Sequence, residues 1–427
     1  MRTHFHAEHL ADAGLAAAEK NLRACVHCGM CTATCPTYVL LGDERDGPRG
    51  RIVMMQKMLE EYAAPSAETV THLDRCLSCL GCRTACPSGV DYARLIDRSR
   101  AHIEQHYRRP LGERLLRWTI ANVLTRPALT RIALRLARLA SPLHPLLPLR
   151  LRSMADTANT MSIGKLHLPP AESQRRIALL PGCVQQVIAS NIDEGVAQLL
   201  ARRGISLVPL EGAGCCGALP HHLGREPEAI MWAKRLIEAF ERAAPFDGIL
   251  ITATGCASHI NEYEYLFLDD PSWHSRARAF SQKLLPLEAL LEPPRPGAEM
   301  KLRVALQVPC SQQHGLRWPD AGALLQASGF EVLQIPDAHL CCGSAGSYSI
   351  LQPEIASALR AGKLANIAAV RPDMVATTNI GCLQHLSGPD APPMVHVAEL
   401  LDWAEGGPPP GALGSRAQLM TATQRRR

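Results

Sequence analysis

Residues 25–36 read CVHCGMCTATCP, and residues 76–87 repeat the spacing as CLSCLGCRTACP. We call these stretches the first and second cysteine runs. Each run places four cysteines in the order C-x2-C-x2-C-x3-C and is followed directly by proline. Two residues between cysteines let a tight loop direct three thiolates toward one point. This repeated spacing decides the predicted fold of the N-terminal part.

The spacing is typical of two-cluster bacterial ferredoxins, in which the fourth cysteine of each run binds the other [4Fe–4S] cluster. The sequence therefore predicts two crossed sets of metal ligands. The sets are Cys25, Cys28, Cys31 and Cys86 for the first cluster, and Cys76, Cys79, Cys82 and Cys35 for the second. Zinc is the alternative, because C-x2-C pairs also build zinc sites, but four cysteines and a proline occurring twice favour iron–sulfur clusters.

The bulk properties agree with a cytosolic redox protein. The chain has 427 residues, 47% of them apolar, and a formal net charge of +5, which argues against nucleic-acid binding. The first thirty residues lack a secretory pattern, and no run of eighteen apolar residues predicts a transmembrane helix. In a reducing compartment we expect the sixteen cysteines to be ligands or reactive thiols rather than disulfides.

A helical framework is predicted between the two runs. DGPRGRIVMMQKMLEEY, residues 46–62, carries apolar side chains at helical spacing after Pro48. Those side chains are Ile52, Met55, Leu59 and Tyr62. We expect the methionine to fill the core rather than to bind metal.

The remaining eight cysteines lie in an internal duplication. RIALLPGCVQQ (176–186) matches RVALQVPCSQQ (303–313), and TATGCASH (252–259) matches TNIGCLQH (378–385). Between them, Cys215-Cys216-Gly217 matches Cys341-Cys342-Gly343 at an offset of 126 residues. The predicted strands are IALL, ISLV and ILITAT in the first copy, and VALQV, FEVLQI and MVATT in the second. Their alternation with helices predicts two small α/β units with mainly parallel sheets.

The duplication also resolves an ambiguity in GAGCCG, residues 212–217. By pattern this is G-x-G-x-x-G, which occurs in dinucleotide-binding folds. The matching segment of the second copy reads AHLCCG, residues 338–343. It keeps the thiol pair and the last glycine but lacks the other two glycines. The sequence therefore favours a thiol site over a nucleotide site.

Two ferredoxin runs followed by two Cys-Cys-Gly (CCG) modules resemble the iron–sulfur subunits of flavin-linked 2-hydroxy-acid and glycerol-phosphate dehydrogenases, and subunits of heterodisulfide reductases. The likeness is above all to the iron–sulfur subunits of bacterial glycolate oxidase, also called glycolate dehydrogenase. The segments that carry it are RACVHCGMCTATCPTYVLLGDERDGPRGRI (23–52), HLDRCLSCLGCRTACPSGV (72–90) and HLCCGSAGSY (339–348).

The resemblance implies a peripheral complex on the cytoplasmic side of the inner membrane. Flavin-binding partner subunits would carry FAD and oxidise glycolate to glyoxylate. This chain would pass the electrons through two [4Fe–4S] clusters toward an acceptor, which the resemblance suggests is quinone. No catalytic residue is assigned to the chain, because it has no Ser/His/Asp arrangement and no phosphate-binding loop.

Both copies depart from the heterodisulfide-reductase pattern, because they end in C-x-x-H instead of C-x-x-C. Either copy could bind a further cluster or metal, or hold buried or redox-active thiols. The residues in question are Cys183, Cys215, Cys216, Cys256 and His259 in the first copy, and Cys310, Cys341, Cys342, Cys382 and His385 in the second.

An arginine-rich connector follows the ferredoxin part. After Pro127 it carries neighbouring apolar and basic stripes at helical spacing. The apolar stripe is Leu129, Ile132, Leu136 and Leu139, and the basic stripe is Arg131, Arg135 and Arg138. Such a helix suits an anionic membrane surface. The alternatives are packing on its own domain and docking on a partner subunit.

The predicted fold class is α+β multidomain, with a helical two-cluster ferredoxin domain followed by two duplicated α/β CCG modules. The predicted boundaries are 14–110 for the ferredoxin domain, 111–173 for the helical connector and a Pro-rich linker, 174–293 and 300–405 for the two modules, and 406–427 for a disordered tail. The sequence is compatible with three functions. The chain is an electron-transfer subunit for glycolate, lactate or glycerol-3-phosphate oxidation, a heterodisulfide-reductase-like protein with catalytic CCG modules, or a scaffold or redox sensor.

Overall fold

The computed structural model describes residues 1–139, 164, 166–170, 173–243, 245–291 and 300–414. It contains a helical N-terminal part and two four-stranded parallel sheets. The predicted fold class is therefore confirmed. The predicted domain boundaries stay a prediction, and most of the expected linker lies outside the described residues.

The N-terminal part consists of short helices wrapped around one apolar core. The helices are α1 (Ala13–Ala24), α2 (Pro36–Leu41), α3 (Pro48–Glu61), α4 (Ala67–Asp74), α5 (Gly81–Thr84) and α6 (Tyr92–His106). The core joins α1, α3 and α6 through residues such as Leu15, Met55 and Ile96, and it also includes Cys25 and Cys76. The cysteine runs are thus fixed to a packed helical frame.

The helix predicted between the runs is present as α3. Pro48 occupies its first turn, where a missing backbone N–H breaks no hydrogen bond. Ile52, Met55 and Leu59 are buried as expected. Tyr62 lies just beyond the helix, in the left-handed region at a φ of 48°, and ends it.

The connector forms two further helices, α7 (Leu111–Val123) and α8 (Pro127–Leu139). Leu134 of α8 packs against a small apolar cluster of the first module. Among the described residues, no helix has both the length and the apolar character needed to cross a bilayer.

The first module is built on strands in the order β2-β1-β3-β4, all parallel. Its elements are β1 (Arg175–Leu179), α9 (Gln185–Ile188), α10 (Ser190–Ala201), β2 (Ile205–Pro209), α11 (Ala218–His222), α12 (Glu226–Arg242), β3 (Gly248–Leu250), α13 (Thr254–Asn261), α14 (Tyr263–Leu266), α15 (Pro271–Ser281), β4 (Leu284–Leu285) and α16 (Leu287–Leu290).

The second module repeats this topology with the order β6-β5-β7-β8. Its elements are β5 (Arg303–Gln307), a π-helical turn (Ser311–Leu316), α17 (Gly322–Ala327), β6 (Glu331–Leu333), α18 (Tyr348–Leu351), α19 (Pro353–Ala369), β7 (Met374–Thr377), α20 (Ile380–Leu386), β8 (Met394–His396) and α21 (Val397–Ala404). The fourth strand of each sheet, β4 and β8, is not among the strands expected from the sequence.

The two modules pack together through a shared hydrophobic core. One apolar cluster includes Leu179 and Leu200 of the first module with Val304 and Leu400 of the second. Leu413, in a 3-10 turn at Gly411–Leu413, is buried in the same cluster. The segment around Leu413, which was expected to belong to a disordered tail, is therefore packed, because its apolar side chain is buried in the shared core. Residues 415–427 lie outside the described part.

The second cysteine run is held between the N-terminal helices and both modules. Arg83 pairs with Glu262 of the first module at 3.0 Å, and Thr84 Oγ1 hydrogen-bonds His314 Nδ1 of the second at 2.8 Å. Tyr348 of the second module donates to the carbonyl oxygen of Arg75 at 3.0 Å. The modules therefore cover the loop that carries three of the predicted cluster ligands.

We predict that Gly224→Ala destabilises the contact between α6 and the first module. Gly224 has a φ of +81°, and a Cβ atom there would lie 2.3 Å from the carbonyl oxygen of Arg100. Gly212→Ala is the matched control, because its φ is +74° but no atom lies within 4 Å of its Cβ position. The control should cost about 1 kcal/mol from backbone strain, and Gly224→Ala about 3 kcal/mol or more. Equal shifts in denaturation midpoint would contradict this close approach.

Candidate functional site

The eight N-terminal cysteines line two adjoining cavities. The first cavity is lined by Cys25, Cys28, Cys31 and Cys86 together with Cys82. The second is lined by Cys35, Cys76, Cys79 and Cys82. The fourth cysteine of each run thus lies at the cavity of the other run, and Cys82 borders both.

Both runs adopt the same tight loop. Non-helical residues with positive φ recur at equivalent places, His27 and Gly29 in the first run and Ser78 and Leu80 in the second. Each loop therefore reverses direction between its first and third cysteines. Pro36 then starts α2 directly after Cys35, which fixes the fourth sulfur of the first run at a helix N-terminus.

Several of the cysteine side chains are buried close to one another. Burial raises the pKa of Cys31 to about 11, and burial also raises the pKa of Cys79 and Cys82 well above the ordinary thiol value. Thiolates are the form that binds iron, so a group of buried thiols needs a cationic partner to ionise. The donor set and its environment therefore fit iron–sulfur clusters.

A buried arginine lies beneath the second cavity. Arg51 is 1% exposed, and its Nη1 atom is 3.8 Å from the sulfur of Cys35. It donates to the carbonyl oxygen of His72 at 2.8 Å and pairs with the buried carboxylate of Asp46 at 3.4 Å. Asp46 also accepts from Arg75. The sequence did not predict this network, because an arginine in a helix is usually expected on the protein surface.

A second arginine, Arg100, hydrogen-bonds the loop of the second run. Arg100 of α6 donates to the carbonyl oxygen of Cys76 and to Ser78 Oγ, each at 2.6 Å. Arg51 thus places positive charge at the second cavity, and Arg100 places it on the loop of the second run.

The first CCG module gathers its four cysteines at the C-terminal edge of its sheet. The sulfur atoms of Cys183 and Cys215 are 3.6 Å apart. Hydrogen bonds from Cys215 and Cys256 hold the pKa of Cys216 well below the ordinary thiol value. The stretch GAGCCG thus contributes its thiols to a sulfur cluster, as the duplication predicts.

The second module repeats this arrangement. The sulfur atoms of Cys310 and Cys341 are 3.8 Å apart, and those of Cys342 and Cys382 are 3.5 Å apart. Hydrogen bonds from Cys341 and Cys382 lower the pKa of Cys342 in the same way. In both modules the thiols thus lie in contact with one another around the Cys-Cys pair.

The thiols of the second module lie beside one of the N-terminal cavities. Cys79 of the second run lies in one apolar cluster with Cys310 and Cys341 of the second module. After burial, the charge of Cys310 is the largest factor that raises the pKa of Cys79. The second thiol site therefore adjoins the second cavity, a contact across 231 residues that no sequence pattern signals.

The two predicted histidines have different surroundings. His385 Nε2 lies 3.3 Å from the carbonyl oxygen of Ala356. His259 is 6% exposed and lies beside His221 and His222, with ring centroids 4.8 and 6.2 Å away. Burial lowers the pKa of His222 to about 4 and that of His259 well below its ordinary value, so both imidazoles are neutral.

Comparison with known protein families matches this layout. Residues 21–90 match a model described as a 4Fe-4S dicluster domain, and residues 177–261 and 304–387 match a cysteine-rich domain. Over 411 residues the chain is 38% identical to the glycolate oxidase iron-sulfur subunit of Escherichia coli strain K12, covering 95% of this chain and 99% of that protein. The chain belongs to the family of glycolate oxidase iron–sulfur subunits. The predicted resemblance is confirmed.

Two further relatives show how far the likeness extends. The probable glycolate oxidase iron-sulfur subunit of Bacillus subtilis strain 168 is 31% identical over 430 residues, covering 91% of this chain and 95% of its own. Lactate utilization protein A of Geobacillus sp. strain WCH70 is 26% identical over 238 residues, which is 53% of this chain and 99% of that protein. The two relatives that match over more than nine-tenths of this chain are thus named for glycolate oxidase.

We predict that Arg51→Gln lowers the midpoint potential of the iron–sulfur cluster that we expect beside Cys35, because losing a positive charge disfavours the more negative reduced state. At about 6 Å and an effective dielectric constant near 20, one unit charge is worth about 3 kcal/mol, on the order of 100 mV, and Asp46 offsets part of it. We therefore expect a fall of some tens of millivolts in an anaerobic redox titration followed by electron paramagnetic resonance.

Two variants control this measurement. Arg51→Lys keeps the charge and should restore most of the potential. Arg45→Gln removes an arginine whose side chain is 52% exposed and should leave the potential unchanged. An unaltered potential in folded Arg51→Gln protein would show that this guanidinium does not tune the cluster.

Proposed function

We propose that this chain is the electron-transfer subunit of a flavin-dependent glycolate dehydrogenase, which oxidises glycolate to glyoxylate. The observation that carries the proposal is the pair of adjoining cysteine cavities, one of which reaches the thiols of the second module. Family membership supports the same assignment, since the full-length relatives are named as glycolate oxidase iron–sulfur subunits. Substrate oxidation would occur on partner subunits that hold FAD.

The proposed ligand sets follow the two cavities. The first set is Cys25, Cys28, Cys31 and Cys86, and the second is Cys35, Cys76, Cys79 and Cys82. Two [4Fe–4S] clusters bound there would carry single electrons, whereas a flavin gives up two. The shared position of Cys82 supports a short separation between them.

The chain's own residues supply three things to such clusters. The helical core around Met55 and Ile96 fixes the two loops relative to each other. Packing of the second module over Leu77 and Cys79 shields the second cavity from water. Arg51 and Arg100 provide positive charge, which favours a reduced, more negative cluster.

The exposed surface of α7 and α8 supports a membrane-facing role. Apolar side chains on these helices stay exposed instead of joining the core; they are Leu111, Leu115, Trp118, Leu129, Ile132, Leu136 and Leu139. The basic residues Arg131, Arg135 and Arg138 lie between those of α8. We propose that this face binds the anionic surface of the inner membrane from the cytoplasmic side, close to a quinone acceptor.

A second candidate function rests on the CCG modules. The ionisable Cys342 lies among three other thiols next to the second cavity, so the second module could itself pass electrons to a disulfide or a quinone. In that case the isolated chain, reduced anaerobically, would reduce a small-molecule disulfide. The leading proposal expects no such activity.

The proposed function is tested in the complex. We expect the chain co-produced with its flavin-binding partners to show glycolate-dependent dye reduction and glycolate-induced cluster signals in electron paramagnetic resonance. The isolated chain should contain about eight iron atoms in two clusters and should not oxidise glycolate. Full activity of a complex that lacks the clusters would favour a scaffold instead.

Cysteine variants test the crossed ligand sets in the same experiment. Cys35→Ser and Cys76→Ser should abolish the same signal, and Cys86→Ser and Cys25→Ser the other, each with a loss of about four iron atoms per chain. Cys256→Ser, in the first module, is the control and should leave both signals in place. Uncrossed ligands are indicated if Cys35→Ser instead removes the signal that Cys25→Ser removes.

The membrane proposal makes a separate prediction. Replacing Arg131, Arg135 and Arg138 by glutamine should weaken binding to vesicles of phosphatidylglycerol and phosphatidylcholine by about 100-fold, since each basic residue near an anionic surface contributes about 1 kcal/mol. The control replaces Arg23, Arg242 and Arg278, whose side chains are 65–70% exposed, and changes the net charge equally. Equal vesicle sedimentation of the two triple variants would rule out this surface.

A further inference from the structure

A group of nitrogen and oxygen ligands lies outside the sulfur sites, where α6 of the N-terminal part meets the first module. Asp97 lies on α6, and His221 and His222 lie at the C-terminal end of α11. Each offers one ligand atom, and the three atoms all lie within 4.8 Å of one another. The group therefore brings together residues from two separately predicted domains.

A third histidine adjoins the group. His259 of α13 has its ring centroid 4.8 Å from that of His221. Among the residues the structure describes, His259 Nε2 and the Nδ1 atoms of His221 and His222 are buried and lack a hydrogen-bond partner. A buried polar atom without a partner costs about 1–3 kcal/mol. Two of these histidines lie close to the carboxylate of Asp97 and the third lies beside them, an arrangement that indicates a cationic ligand.

The duplication provides an internal comparison. At the offset of 126 residues, His221 and His222 correspond to Ser347 and Tyr348, so the fold of the module does not require the histidine pair. His385, the counterpart of His259, hydrogen-bonds a helix carbonyl oxygen. The first module thus carries an added feature, placed where it meets α6.

We propose that Asp97, His221 and His222 bind one divalent transition-metal ion, with His259 or water as a fourth ligand. Two imidazoles and one carboxylate are a donor set shared by zinc and ferrous iron sites. Metal–ligand bonds of about 2.0–2.2 Å place tetrahedral ligand atoms roughly 3.5 Å apart, so the three side chains need to close by a small rotation.

The site joins two parts of the chain. Its ligands connect α6, which also holds the loop of the second run through Arg100, to the histidines beside the first thiol cluster. Cys216 lies only two residues before α11, the helix that carries both histidines. A bound cation would therefore strengthen the contact between domains and add positive charge next to the Cys216 thiolate.

The test measures metals in the full chain, purified anaerobically with its clusters. Elemental analysis is expected to find about one zinc per chain beyond the iron, or Mössbauer spectra about one high-spin ferrous ion distinct from the clusters. X-ray absorption at the zinc edge, or those Mössbauer parameters, should indicate nitrogen and oxygen ligands without sulfur. His221→Gln/His222→Gln should lower this metal by about tenfold or more.

Matched variants separate this site from the sulfur sites. His4→Gln changes an exposed histidine and should keep the metal, and Asp97→Asn offers a milder change if the double variant fails to fold. Retention of cluster signals in each variant reports correct folding. The proposal is overturned if protein supplied with zinc or ferrous iron holds no such ion, if sulfur ligands are found, or if the ion persists in the double variant.

Discussion

The exchange of one cysteine between two loops is the constraint on which the rest of the N-terminal part depends. Cys35 lies at the cavity of the second run and Cys86 at that of the first. The two loops must therefore lie close together, and the chain between them has to bring the second run back beside the first. Helices α3 and α4 make that return, and the buried pair of Arg51 and Asp46 fills the space beneath it.

The modules complete this arrangement from outside. Arg83, Thr84 and Arg75 tie the second run to both modules, and the modules in turn share one core. The second run is thereby buried on a side that a small ferredoxin domain would leave open. The duplicated modules are alike in topology and thiol geometry, but their histidines differ in partners. The two copies are thus more alike in their sheets and sulfur contacts than in the residues around them.

Local patterns predicted most of the fold and the sulfur sites. The cysteine spacing indicated the two groups at the cavities, Pro48 marked the start of α3, and the repeat located three strands in each sheet. The remaining strands, β4 and β8, span two and three residues, too few to show any periodicity. Tertiary contacts could not be predicted from local patterns either. Cys79 contacts the thiol site at Cys310, and Arg51 is buried, because segments that are distant in sequence pack there.

The contact between Tyr348 and Arg75 has a consequence for how the molecule is made. These residues are separated by 273 positions, so the covering of the second run is supplied by a segment that is synthesised long after the run itself. Until that segment has been made and has folded, the second run lacks this cover. Iron insertion is therefore least obstructed before this contact forms, which is also when the thiols are most accessible to oxygen.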